Sequence, residues 1–205
     1  MTVTDITPIT KSRYKVVLDE GPAFVLYKGE LNRFHIRKDE EISQDAYVSI
    51  FNEILPKRAK LRSMNLLQSK DYTRRQLEDK LKQGGYPEKI VAEAVAYVES
   101  YGYIDDERYA RDFIEYNMSR KSRIRIENDL LRKGIGRELT AKIFDELKED
   151  GEEIDEIGMI HKLLIKKNYR AQSATIEEKR KMYAFLLRRG FCADVIGKAL
   201  LLDIT

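Results

Sequence analysis

Little in this sequence could build the common kinds of reactive centre. One cysteine, Cys192, and two distant histidines, His35 and His161, cannot assemble a zinc site of the usual Cys/His type. A lone cysteine cannot close an internal disulfide, so a reducing cytoplasm is the expected compartment. The 11 glycines are scattered, and the only doublet, Gly84-Gly85, runs into Tyr86-Pro87 rather than Lys-Ser/Thr, so there is no phosphate loop. A Gly-x-Ser-x-Gly elbow is also missing. No apolar run approaches the ~18–20 residues of a membrane span. Met1 to Lys15 lacks the apolar stretch of a secretory signal. Carboxylates alone can do chemistry, but nothing recommends an enzyme, and no catalytic residue, cofactor, metal or membrane is expected. Excess charge of one sign is lacking too: 38 basic residues face 35 acidic ones, a net of +3. Any argument for a nucleic-acid partner must therefore come from local charge distribution.

Charge itself is abundant. Charged residues make up 36% of the 205, against 42% hydrophobic, well above the roughly 25% charged of an ordinary globular chain. So many charges need surface, which excludes one large, thick core and favours a thin, elongated or helix-repeat architecture. The first 40 residues differ from the rest. Arg13 to Leu18, Ala23 to Tyr27 and Leu31 to Ile36 are short apolar runs broken by Asp19-Glu20-Gly21-Pro22 and Lys28-Gly29-Glu30. They predict a small antiparallel meander of two or three strands leaning on a helical body.

From Ser43 the period becomes helical. Ile42, Ala46, Ile50 and Ile54 recur every four residues behind Ser43 as N-cap, and Pro56 interrupts and opens a second helix with Ala59, Met64 and Leu67. Thr73-Arg74-Arg75-Gln76 fits a capping box ahead of Leu77 and Leu81. Gly84-Gly85 stops that helix, and Pro87 sits at the first position of the next, whose stripe is Ile90, Val91, Ala94, Val95 and Val98. Asp105 and Ser122 are read as further caps.

These stretches repeat. Leu77, Leu81, Gly85, Tyr86, Ile90 and Ala94 match Ile126, Leu130, Gly134, Ile135, Leu139 and Ile143 at a constant offset of 49. Met182, Leu186, Gly190, Phe191, Val195 and Ala199 match the second set at an offset of 56. The shared unit is a helix, a glycine stop that needs a positive φ, one large apolar residue folding back, and another helix. With the helix before each, the fold is mainly α: three tandem three-helix repeats in an elongated, curved arrangement, with a small N-terminal β meander. The expected divisions are 1–42 for the strand segment, 43–104 for the first repeat with its lead-in helix, 105–150 for the second and 151–205 for the third.

Ser100-Tyr101-Gly102-Tyr103-Ile104-Asp105-Asp106-Glu107-Arg108-Tyr109-Ala110-Arg111 resembles the signature of the RecX family of regulatory proteins, as do Asp71 to Leu81 with Gly85-Tyr86 and Ile126 to Ile135. The resemblance covers roughly Pro56 to Leu202; the strand segment looks like the extra domain of longer members. It implies a non-catalytic, monomeric modulator of the RecA recombinase that binds the recombinase–DNA filament and restrains it in recombination and DNA repair, with DNA met directly or through the filament. On the residues alone, most of the signature is structural. Gly102 ends a helix, Tyr103 and Ile104 anchor, and Asp106 and Glu107 sit in a first turn, where the helix dipole favours carboxylates. Tyr109, Phe113 and Tyr116 are spaced to face the core.

The near-zero net charge is a cancellation. Between Arg120 and Arg137 seven basic residues (Arg120, Lys121, Arg123, Arg125, Arg132, Lys133 and Arg137) face two acids, Glu127 and Asp129. The compensating acids run from Asp145 to Glu156, read as an inter-repeat loop. Further basic positions are Lys57 and Arg58, Arg74 and Arg75, Lys179 and Arg180, and Arg188 and Arg189. These fourteen residues, Arg137 apart, are the candidate contacts with phosphates or an acidic groove. A solvated helical face explains Lys57 to Arg62 and Lys179 to Lys181 as well. For Arg120 to Arg125 function is favoured, because little apolar material is there to pack and arginine suits bidentate phosphate contacts. A DNA-binding helical module acting without recombinase contact is the alternative. Cys192 is expected in the core, the two histidines as structural or exposed, and most tyrosines as packing residues, with Tyr72 and Tyr169 left open.

Overall fold

The computed structural model describes residues 1–171 and 173–202, so Gln172, which falls in an expected loop, lies outside the described residues. The chain divides into two compact units, Met1–Asp105 and Asp106–Thr205.

The first unit begins with a three-stranded antiparallel sheet in sequential order, β1 (Val3–Pro8), β2 (Arg13–Leu18) and β3 (Phe24–Tyr27). Val16, Leu18, Phe24 and Leu26 are buried from one face. Val25 points the opposite way and is buried too, because successive side chains alternate and both faces of β3 are covered. Two expectations are corrected here. The first strand is Val3–Pro8, and the segment 31–36 is no strand: Lys28–Arg33 is a short helix, α1, opened by Glu30, whose carboxylate accepts from the Tyr27 N–H at 2.8 Å. Leu31 and Phe34 are three apart, a spacing that serves a helix face, and His35 leaves the helix at φ +53°.

Helix α2 (Gln44–Ser49) is capped by Ser43, whose hydroxyl accepts from the Ala46 N–H at 3.2 Å. A π-helical turn, Ile50–Ile54, then joins it to α3 (Leu55–Leu67) without a break. The turn shifts the buried stripe from Ile50 to Leu55, five residues on, and Ile54 is only half-buried. It lies just ahead of Pro56, which cannot donate to the preceding turn. Pro56 therefore follows one widened turn of a continuous helix rather than separating two. Helix α4 (Arg74–Gln83) has the expected Thr73–Gln76 capping box, and α5 (Glu88–Ser100) starts one residue after Pro87, which is its N-cap. The sheet, α2–α5 and Ile104 share one core.

The second unit has two cores. One joins α6 (Asp106–Asn117), α7 (Arg123–Arg132) and α8 (Arg137–Glu149) around Ile114, Ile126, Leu130 and Ile143. The other joins α9 (Glu156–Lys166), α10 (Ile176–Arg188) and α11 (Ala193–Leu202) around Ile160, Leu186 and Ile196. The repeat register is legible in hydrogen bonds. The N–H groups of Tyr86, Ile135 and Phe191 donate to the carbonyls of Leu81, Leu130 and Leu186 at 3.3, 3.0 and 3.3 Å. The glycines between them, Gly85, Gly134 and Gly190, have φ of +84°, +93° and +87°. This is the Schellman helix end, found at the same place in each of the three repeats.

Some apolar residues face outward. Tyr103 and Tyr116 are 53% and 67% exposed, and Leu131 and Met64 are also exposed, against the expectation of core positions. In α6 the buried positions are Ala110, Ile114 and Asn117, one helical face, from which Tyr116 points away. Tyr72 is buried and Tyr169 packs against the third core, whereas Cys192 is only half-buried. His161 is structural, its Nε2 3.3 Å from the Ala199 carbonyl.

Candidate functional site

The start of α7 lies against the end of α10. Ser122 has the extended backbone of an N-cap, but its hydroxyl makes no capping bond; it donates to the Arg189 carbonyl at 3.1 Å. The N–H of Arg123 donates instead to the Glu156 carboxylate at 2.7 Å, so a residue at the start of α9 caps α7. The contact is close enough that a Cβ on Gly190 would meet the Ser122 hydroxyl at 2.7 Å and the Arg125 Cβ and backbone nitrogen at 3.4 Å.

This junction leaves a cleft of about 710 Å³ lined by six cationic side chains: Arg120, Lys121, Arg125, Lys162, Lys166 and Arg189. No carboxylate lines it among the described residues, and its apolar floor is Met159, Leu163 and Phe191. Arg125 and Arg189 also line a neighbouring cleft with Arg132 and Arg188, so the basic surface is continuous across both. Nearby aromatic rings hold some of these cations in place. Arg120 lies 4.8 Å over the Tyr116 ring and donates to its hydroxyl at 3.1 Å; Arg189 lies 5.0 Å over Phe185; Lys121 lies 5.0 Å over Phe113. Asp129 supports the site from behind. It pairs with Lys121 at 2.9 Å and with Arg132. Burial pushes its carboxyl up, but the hydrogen bonds from Lys121 and Arg132 outweigh this and hold it below its ordinary value. An arrangement of this kind can accept a polyanion such as a phosphate backbone, or an acidic protein segment.

Of the fourteen candidate cations, the groove and its neighbour gather six: Arg120, Lys121, Arg125, Arg132, Arg188 and Arg189. The others lie elsewhere. Arg123 pairs with Glu127 at 2.9 Å, covers Phe144 at 4.6 Å and lines a separate cleft with Glu152, Glu153, Asp155 and Glu156. Lys133 donates to the Tyr109 hydroxyl at 3.0 Å. Lys179 and Arg180 rim an apolar cleft with Tyr183 and Leu200. In the first unit Lys57 and Arg75 are exposed, and Arg74 pairs with Glu78 and Glu99. Arg58 is half-buried, pairs with Glu30 and donates to the Val25 carbonyl at 3.1 Å, tying α3 to the sheet. Two groove residues are not apparent from clustering in sequence, Lys162 and Lys166. Their i, i+4 spacing puts them on one face of α9, and only the packing of α9 beside the start of α7 brings them to the site.

Three sequence-family models match the chain: "RecX, first three-helix domain" over residues 59–97, "RecX, second three-helix domain" over 105–142 and "RecX, third three-helix domain" over 154–200. The "Regulatory protein RecX" of Caldanaerobacter subterraneus subsp. tengcongensis is 34% identical over 202 residues, with 98% of each chain covered. That of Finegoldia magna is 27% identical over 187 residues, covering 90% of this chain and 91% of the relative. Among solved structures, one described as the crystal structure of regulatory protein RecX superposes with a TM-score of 0.61 at 23% identity, covering 95% of this chain and 96% of its own. Another, RecX from Lactobacillus salivarius, gives 0.58 at 21% identity, over 74% of this chain and 98% of its own. At such identities the structural likeness carries the fold alone.

Proposed function

The chain belongs to the RecX family of regulatory proteins, and on that footing we propose that it binds the RecA recombinase–DNA filament and inhibits its activity in recombination and repair. The observation that carries the reading is the groove between α7 and α9–α10, where six cations meet without an opposing carboxylate among the described residues. The DNA phosphates of a filament are a polyanion of the kind that such a cluster of cations attracts. The protein acts by occupancy: it holds a position that filament extension or strand exchange needs. No helix among the described residues is long and apolar enough to cross a membrane.

The test is ATP hydrolysis and strand exchange by the cognate recombinase with substoichiometric amounts of this protein, alongside co-sedimentation with filaments. Both activities should fall and the protein should sediment with the filament. No effect on either activity and no co-sedimentation would sink the proposal. The same groove favours a second reading, a DNA-binding module that needs no recombinase contact. Salt separates the two. Phosphate binding weakens steeply as salt rises, whereas recombinase binding in the absence of DNA supports the filament reading.

A further inference from the structure

A second cleft, in the first unit, explains the Gly84-Gly85 doublet. The end of α4 is pressed onto β3: a Cβ on Gly85, already at φ +84°, would sit 2.2 Å from the Val25 Cγ2, and one on Gly84 would touch the Tyr86 ring at 3.1 Å. The contact walls in a cleft of about 420 Å³ whose charged lining is Arg13 from β2, Arg58 and Arg62 from α3, and Lys80 from α4, with Tyr27, Gln83 and Tyr86 as neutral polar groups. No carboxylate lines it among the described residues. Arg13 is fixed in place by donating to the Gly84 carbonyl at 2.7 Å, and Arg58 by its pair with Glu30. The Val25 and Gly84 carbonyls that face this region are thus already occupied as acceptors. What the cleft offers a ligand is donors and positive charge. Burial raises the Tyr86 hydroxyl above its ordinary pKa, so it too is a donor at neutral pH.

We propose that this cleft binds a phosphomonoester through Arg13, Arg62 and Lys80, with Gln83 and Tyr86 completing the donor set. Glu30 offsets Arg58, which leaves three cations uncompensated. A phosphomonoester carries about −1.5 to −2 at neutral pH and three acceptor oxygens, a better match to a walled cluster of donors than the single charge of an internal phosphodiester. The group can come from the phosphorylated end of a nucleic acid strand or from a free nucleotide. The N-terminal sheet is then a wall of a binding site and not only a support. Such binding needs no recombinase.

The test uses the full chain and two short single-stranded oligonucleotides that differ only in a 5′-phosphate or 5′-hydroxyl, with inorganic phosphate and a nucleoside 5′-monophosphate as separate ligands. The phosphorylated strand should bind at least about tenfold more tightly, the scale of one or two lost charge-assisted hydrogen bonds. Arg62→Ala with Lys80→Ala, both exposed residues, should erase that difference and leave the 5′-hydroxyl strand unaffected. Arg125→Ala with Arg189→Ala in the other groove should weaken both strands alike. Binding of the nucleoside monophosphate without an end preference, lost in the Arg62/Lys80 variant, assigns the cleft to a free nucleotide. Equal affinity for both strands with no binding of either small ligand overturns the proposal, as does any preference that survives Arg62→Ala with Lys80→Ala.

Discussion

The hydroxyl of Ser122 and the carbonyl of Arg189 meet at 3.1 Å across 67 residues of chain. That bond and the Arg123–Glu156 contact at 2.7 Å fasten the α6–α8 group to the α9–α11 group at the point where the basic groove opens. The third glycine stop of the repeat is therefore also an interface residue.

Gly190→Ala should be costly for two reasons. Its φ of +87° strains any side chain, and the new Cβ would meet the Ser122 hydroxyl at 2.7 Å. The expected loss is about 1–3 kcal/mol, read as a lower melting temperature or denaturation midpoint. Gly197→Ala is the contrasting case. It lies inside α11 with no atom within 4 Å of its Cβ, so it should be neutral or stabilise by up to about 1 kcal/mol. Equal effects of the two substitutions would contradict the junction.

Arg123 and Arg125 separate structure from binding. Arg125→Ala with Arg189→Ala removes two exposed groove cations. The slope of log affinity against log salt for single-stranded DNA should flatten by about 1.4, at about 0.7 per phosphate contact, with a stability loss of no more than about 0.5–1 kcal/mol from the contact of Arg189 with Phe185. Arg123→Ala removes an i, i+4 pair and a cation over Phe144. It should lower stability by about 0.5–1.5 kcal/mol and leave the salt slope alone. A slope that changes with Arg123 and not with Arg125 would relocate the interface.

The same pair shows what a linear reading misses. Two residues apart on a helix diverge by about 200°, so a single run of arginines divides between a basic groove and an acidic cleft. The repeats were legible because a glycine stop followed by a large apolar residue recurs in one register, and Gly85, Gly134 and Gly190 each close a Schellman end there. The strand Val3–Pro8 was not, since only Val3 within it is buried and its alternation is weak. Ser122 is the N-cap of α7, as the sequence predicts, but the bond its side chain makes is hidden for another reason. Its backbone is that of an N-cap, but its hydroxyl answers a carbonyl 67 residues away, which no local pattern encodes. Lys162 and Lys166 are not legible as groove residues, because tertiary packing, not sequence proximity, brings them there.

Asp129 gives the groove a pH signature. Its side chain is 14% exposed and bonds Lys121 and Arg132, and its carboxyl titrates below its ordinary value despite burial, which acts the other way. A depressed folded pKa contributes stability that is fully present above the unfolded value, near 3.9 for aspartate, and disappears as pH falls through the folded one. Asp129→Asn should therefore cost about 1–2 kcal/mol at neutral pH, with the share from exposed Arg132 small. The difference from the parent protein should persist down to about pH 4 and close below it, as measured by urea unfolding at a series of pH values. The substitution also removes a negative charge behind Lys121 and Arg132, so single-stranded DNA should bind more tightly at low salt even as the fold weakens. A stability difference that stays constant through the acid range would mean that the Asp129 carboxylate is not held by these two cations.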